Sequence, residues 1–200
     1  MDYSRLLQKV ILDMARHIPD FQNIKPSRIL VSSTPSRGPD KKGLWACILP
    51  LRFENGKKVK FERSGSTVRR YSIQLPAMRA IHPTPGEHFL YFMYVSTPRF
   101  YKLSLDEKLE TLIHELYHIN PEFNGDLRRF PNTKYMHGSS IRTYDQYVRK
   151  LKKYYLQKTR AKNLLSTLSL SQRSLLRANA QVEFPRYKEP EQNIVQVNRR

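Results

Sequence analysis

The fold prediction starts from the stretch Thr111-Leu-Ile-His-Glu-Leu-Tyr-His-Ile119. His114 and His118 are four residues apart, and Glu115 directly follows the first histidine. On a helix this spacing brings both imidazoles to one face. Two imidazoles beside a carboxylate can hold one zinc ion and move a proton next to it. The stretch therefore predicts a catalytic metal site on a helix.

The helix that carries this motif is predicted to start at Ser104. Glu107 stands three residues later, which forms a capping box, and Pro121 marks the other end. An apolar stripe recurs at helical spacing through Leu105, Leu109, Leu112, Leu116 and Ile119. In a helical projection the stripe lies roughly opposite the two histidines. We expect the stripe to face the core and the histidines to face away from it.

A catalytic zinc site needs a third protein ligand and one position left open for water. His137 is followed by Gly138 and by the predicted start of a new helix, which would hold a ligand rigidly. Asp126, after a glycine turn, is the alternative third ligand. We predict one zinc ion bound by His114, His118 and His137.

The predicted chemistry is hydrolysis by a water molecule that the zinc activates, with Glu115 as the general base. The oxyanion that forms during hydrolysis also needs a hydrogen-bond donor. The candidates are Arg128, Arg129 and Tyr135, and the sequence alone does not select one of them. Asp126, if it is not a ligand, is expected to hydrogen-bond a ligand imidazole and orient it.

The pattern of the remaining chain predicts an α+β fold. The run from Phe89 to Val95 is apolar without alternation, which is typical of a strand buried on both faces. Helices are predicted over residues 3–18, from Ile141 onward and over 164–178; strands are predicted over 28–33, 44–53, 57–63 and 68–75. This composition corresponds to a small mixed sheet, an active-site helix and basic C-terminal helices.

The length of 200 residues favours one domain with an appended segment. We predict a domain over residues 1–158, followed by a basic helical arm and mobile tail over 159–200. The formal net charge is +19, and more than half of this excess lies after residue 138. Such a charge favours attraction to polyanions, DNA or RNA above all.

Basic residues of the helix after Ile141 are the predicted nucleic-acid contacts: Arg149, Lys150, Lys152 and Lys153. The basic segment 57–70 has two interpretations, a solvated hairpin with a charged edge or a contact for nucleic acid or substrate. A single cysteine, Cys47, gives no sign of an oxidising compartment, and no apolar run is long enough to span a membrane. We expect a cytoplasmic location.

The motifs together resemble a known group. His114-Glu-Leu-Tyr-His-Ile119, Phe123-Asn-Gly125 with Arg128, and His137-Gly138 are similar to the phage metallopeptidase family and, more broadly, to SprT-like zincins. The resemblance covers about residues 104–150. It implies a minimal zincin in which the third histidine, here His137, is the third ligand. SprT-like proteins often add a cysteine zinc ribbon, and this chain has none.

Two functions are weighed. The first is a zinc metallopeptidase that hydrolyses a protein or peptide substrate, associated with nucleic acid. The alternative is a nucleic-acid-binding protein whose zinc site is structural or vestigial. Glu115 favours the first, because a structural site has no use for a general base. A zinc hydrolase of another specificity uses the same motif and stays open.

Overall fold

The computed structural model describes residues 1–35, 45–75, 86–130, 136–177 and 181–197. The helices are α1 Tyr3–His17, α2 Arg99–Lys102, α3 Leu105–Tyr117, α4 Ile141–Lys158, α5 Lys162–Ser169 and α6 Gln172–Arg177. The strands are β1 Ile29–Pro35, β2 Ala46–Pro50, β3 Val59–Ser64, β4 Thr67–Gln74, β5 Tyr91–Thr97 and β6 Glu191–Val197. The predicted α+β class is confirmed.

Strand β5 is the centre of a mixed three-stranded sheet in the order β1-β5-β2. It runs parallel to β1 and antiparallel to β2. Tyr91, Met93 and Val95 belong to the main core, whereas Phe92 belongs to a second apolar cluster. Because successive side chains of a strand point to opposite faces, these clusters lie on the two faces of the sheet. The predicted strand buried on both faces is confirmed.

The motif helix α3 packs against this sheet. Ser104 caps it as predicted: its hydroxyl accepts from the Glu107 amide, and the Glu107 carboxylate accepts from the Ser104 amide. Leu109, Leu112, Leu116 and Ile119 of the predicted stripe are buried in the main core. Burying a leucine side chain contributes roughly 1.5–3 kcal/mol, so this stripe fixes the position of the helix.

The second sheet is antiparallel, in the order β3-β4-β6. Its β3–β4 hairpin comes from the predicted basic segment. The pairing of β4 with β6 was not predicted, because residues 191–197 lack a clear alternation of apolar and polar side chains. In the structure these residues form a strand by backbone pairing alone, and all of their side chains are exposed.

The C-terminal segment predicted as an arm and tail packs onto the rest of the chain. Leu165 and Leu168 of α5 are buried in the main core. Farther on, Phe184 contacts the rings of Tyr3 and Tyr101, and the Ser33 amide donates to the Pro185 carbonyl. Apolar residues are interspersed along this basic segment, and their burial is enough to hold the segment against the core. The core therefore has no boundary at residue 158.

Lys108 connects α3 to α5. Its side chain is fully buried, and Nζ donates to the carbonyls of Leu168 (2.8 Å) and Leu170 (3.1 Å). Carbonyls at the end of a helix lack intrahelical partners and carry partial negative charge, so an ammonium group stabilises them.

No described helix is both long and apolar enough to cross a membrane.

The Lys108 contact predicts a pH dependence. Burial lowers the pKa of Lys108 from 10.5 to about 8. Between these values the unfolded chain binds more protons, so the free energy of unfolding should rise as pH increases through this range, by up to about 3 kcal/mol. The free energy of unfolding, measured by urea unfolding at several pH values, should rise with pH more steeply in the wild type than in Lys108→Met. Identical slopes would contradict the assignment.

A second prediction concerns the loop after α3. Gly125 has φ +94°, and a Cβ there would approach the Arg52 Cγ to 2.5 Å. We expect Gly125→Ala to lower the free energy of unfolding by about 3 kcal/mol, since strain and overlap add. Gly65→Ala is the control: φ is also positive (+57°), but no atom lies within 4 Å. Its cost should be about 1 kcal/mol. Equal losses would mean that the overlap is relieved by small shifts.

Candidate metal centre

The three predicted histidine ligands meet in the structure. Ligand atoms of His114, His118 and His137 all lie within 4.8 Å of one another. The Nε2 atoms of His114 and His137 are 3.3 Å apart. Two imidazole nitrogens at about 2.0–2.1 Å from one tetrahedral ion are separated by roughly 3.3–3.4 Å. The cluster therefore has the donor atoms and the spacing to bind a metal ion.

Local structure positions each histidine. His114 lies in the last turn of α3, and His118 is its C-cap residue. His137 precedes Gly138, whose positive φ of +68° turns the chain toward α4. The Ser140 side chain then caps α4 by accepting from the Thr143 amide. A rigid helix start thus follows the third histidine, as the sequence predicted.

Tyr144 of α4 lies against all three histidine rings. Its ring stacks on His118 at 5.0 Å and 24°, and its centroid is 4.8 Å from His114 and 4.9 Å from His137. Its hydroxyl donates to the His114 carbonyl at 3.0 Å. The histidine face of α3 is therefore covered by α4, and His118 is buried. The apolar stripe faces the core as expected, but the histidines do not face away from it, because Tyr144 of α4 is itself a core residue and packs on them.

Asp145 supports His114. Its Oδ1 lies 3.4 Å from the His114 Nδ1, which leaves Nε2 free to face the other histidines. A carboxylate behind a metal-binding imidazole fixes its tautomer and orientation. Sequence reasoning missed this residue. The available signal was that Asp145 is the single acid in the otherwise basic helix α4.

His114 and His118 are favoured in the neutral form that binds metal. Burial, together with the neighbouring His114 and His137, lowers the pKa of His118 to about 3. Burial and His137 also lower the pKa of His114, although Asp145 opposes this shift. Near neutral pH, a metal ion therefore meets a deprotonated ring nitrogen on His114 and on His118 and does not have to displace a proton from it.

Glu115 is buried and contacts strand β2. Its Oε2 accepts from the Ile48 amide at 2.9 Å. Burial raises the pKa of this carboxyl to about 8, and the Ile48 hydrogen bond lowers it by less. The hydrogen bond from Ile48 occupies Oε2, and no hydrogen-bond partner is described for the second carboxylate oxygen of Glu115. Glu115 is thus held by the sheet while its neighbour His114 belongs to the metal cluster.

The Ile48 amide lies on the outer edge of β2. The Trp45 carbonyl accepts from the Ser96 amide, and the Leu51 amide donates to the Leu90 carbonyl, so the backbone groups of Trp45 and Leu51 point toward β5. Backbone groups alternate in direction along a strand, so those of Ala46 and Ile48 point away from β5. Within the described ranges, β2 has no strand on that side.

The other predicted site residues have different roles. The Asp126 carboxylate accepts from the amides of Asn55 and Leu127 and from the Arg129 guanidinium, so it organises its own loop. It is not in the histidine cluster, and it neither completes nor orients the ligand set. Both expectations for Asp126 were therefore wrong, because the turn at Gly125 directs it toward the segment that follows β2.

The arginine candidates for oxyanion binding are also engaged elsewhere. Arg128 lies over the Tyr117 ring, with Cζ 4.1 Å from its centroid, and its Nε donates to the Tyr117 carbonyl at 2.7 Å. Arg129 pairs with Asp126. Arg128 therefore closes the end of α3. Tyr135, the remaining candidate, lies outside the described residues.

The basic residues predicted to contact nucleic acid are divided. Lys152 is buried between Asp106 and Glu110, and Arg149 also pairs with Glu110. These two cations hold α4 against α3, and their contact with nucleic acid remains a prediction. Lys150 and Lys153 are exposed.

An open groove of about 1130 Å³ is lined by Pro50 and Phe53, at and after the end of β2, and by Phe130 and Met136, the residue before His137. The three histidines and Glu115 are not among its lining residues. Its basic lining residues are Arg52, Lys57, Lys60, Arg128 and Arg129.

Comparison with protein-family models, with curated proteins and with solved structures found no match for this chain.

The role of Asp145 leads to a prediction. Asp145→Ala should weaken Zn²⁺ binding about 10- to 100-fold, because His114 loses the partner that orients it. Competition with a chromophoric chelator measures this affinity without any assay of activity. Glu110→Ala is the matched control, since it removes a carboxylate that pairs with α4 cations and not with a histidine. Equal affinity in the wild type and Asp145→Ala would contradict the role.

Proposed function

We propose that this chain is a zinc-dependent metallopeptidase with His114, His118 and His137 as ligands and Glu115 as the general base. The observation that carries the proposal is the convergence of three imidazoles beside a buried carboxylate that a sheet edge holds. The sequence resemblance to SprT-like zincins supports the same assignment.

A zinc ion held by the three histidines would lower the pKa of a bound water molecule and polarise a carbonyl. The residues of the chain transfer the proton and hold the reacting groups in position. Glu115 keeps Oε2 on the Ile48 amide, and its other oxygen accepts the proton of the attacking water. The same carboxyl then donates that proton to the leaving amine.

The outer edge of β2 suits an extended peptide. The Ala46 backbone groups and the Ile48 carbonyl on this edge can pair with a peptide strand, while the Ile48 amide stays bonded to Glu115. The groove continues past Pro50, where it would take side chains of the same peptide. This edge favours a peptide substrate over the small molecules of other zinc hydrolases. The net charge of +19 supports substrates associated with nucleic acid.

A structural zinc site in a nucleic-acid-binding protein is the alternative. Structural sites are closed by four protein ligands, whereas catalytic sites use three and leave one position open. Among the described residues, the cluster consists of three donors. This number, together with buried Glu115, favours the catalytic proposal.

The test is Glu115→Gln in the full chain. We expect hydrolysis of an unfolded fluorogenic polypeptide to fall at least about 100-fold, because the amide cannot accept the proton. Zinc content should remain at one ion per chain. The control Glu110→Gln should keep both properties.

Loss of zinc from Glu115→Gln would instead assign this residue a role in binding the metal. Full activity in the variant would rule out the proposed mechanism. Zinc-loaded wild-type protein that hydrolyses no polypeptide, and that unfolds when zinc is removed, would favour the structural alternative.

A further inference from the structure

The second sheet has two different faces. In an antiparallel pair, residues directly opposite each other share a face. Phe61 lies opposite Arg70, which in turn lies opposite Val195. The other face carries Tyr71, which is buried, and Ile73, which packs against the second apolar cluster. The face with Phe61 and Arg70 therefore points away from the contact with the rest of the chain.

An aromatic side chain stands between two arginines on this outward face. Phe61 is 59% exposed, an unusual state for so large an apolar side chain. Arg70 is its cross-strand partner, and Arg63 is two residues along the same strand. Both arginines are exposed. Val195 extends the apolar surface onto β6 and is 52% exposed.

The charges of this face are not balanced locally. Neither Arg63 nor Arg70 has an ion pair in the described part of the chain. On the opposite face, by contrast, Glu62 binds both Lys60 and the Tyr71 hydroxyl. The described acid on the outward face is Glu191, at the far end opposite Gln74.

We propose that this outward face binds single-stranded nucleic acid. Two arginines at positions next to an exposed aromatic ring match what a single strand offers, with phosphates to pair with the cations and an unstacked base to stack on the ring. A duplex keeps its bases stacked and would leave Phe61 unused. An acidic polypeptide would satisfy the arginines but offers no planar base. This site does not depend on the proposed peptidase activity.

The position of the face relates it to the metal centre. Phe61 and Val59 also line the groove, together with Met136, which precedes His137. The outward face therefore borders this groove at the β3 edge of the second sheet.

The experiment measures the binding of labelled oligothymidylate and oligouridylate, each of about 15 nucleotides, to the full chain at several salt concentrations. The charge variant is Arg63→Gln with Arg70→Gln. Its control is Lys9→Gln with Lys25→Gln, which removes the same charge from two exposed positions in and just after α1. Phe61→Leu and Phe61→Tyr test stacking, and circular dichroism verifies the fold of every variant.

We expect the arginine pair to weaken binding at least tenfold and to reduce the slope of log affinity against log salt by about 1.4, because each phosphate contact contributes about 0.7. The lysine control should change affinity less than about twofold. Phe61→Leu should weaken binding about tenfold, and Phe61→Tyr should retain it. The tighter of the two oligonucleotides identifies the sugar that the site prefers.

Three results would overturn the proposal. The first is an equal loss in the arginine and lysine pairs, which would mean attraction by net charge alone. The second is unchanged affinity in Phe61→Leu. The third is equal or tighter binding of duplex DNA, or displacement of the oligonucleotide by polyglutamate at the same charge concentration.

Discussion

The packing of α3 between the mixed sheet and α4 is the constraint on which the rest of the structure depends. One side of the helix contributes apolar side chains to the main core. The other side carries His114 and His118 under the ring of Tyr144. A helix held from both sides cannot rotate, so the histidines and Glu115 keep their directions. The hydrogen bond from Ile48 to Glu115 fixes the remaining freedom of that carboxylate against the sheet.

Charged residues are also distributed unevenly over the molecule. The acids of α3 are used internally, because Asp106 and Glu110 hold the cations of α4. Positive charge therefore remains on surfaces that have few acids of their own, and the outward face of the β3-β4-β6 sheet is one of them. Burial lowers the pKa of His114 and of His118 and so favours their neutral imidazoles. The cluster that can bind a cation and the face that we propose binds a polyanion thus consist of different residues on one small protein.

Local sequence signals predicted much of this arrangement, and long-range pairing accounts for what they missed. The capping box at Ser104 and the apolar run of β5 are properties of short segments, so their structures could be predicted. The three histidines could be chosen because spacing and helix boundaries restrict where a ligand can stand. The partner of β2 could not be predicted: the turn signal at Asn55-Gly56 suggests a hairpin with β3, yet β2 pairs with β5. Asp145 and the pairing of β6 likewise depend on segments that are distant in sequence.

The place of β6 has a consequence for the order in which the protein is completed during synthesis. Strand β6 leaves the ribosome after every other described element, yet it forms one edge of the second sheet. Until it emerges, β3 and β4 form a two-stranded hairpin, which is marginally stable in water. The elements of the histidine cluster are all made earlier. A nascent chain can therefore bring its three histidines together before the second sheet is complete, and the strands that carry Arg63 and Arg70 gain their last partner only when β6 emerges.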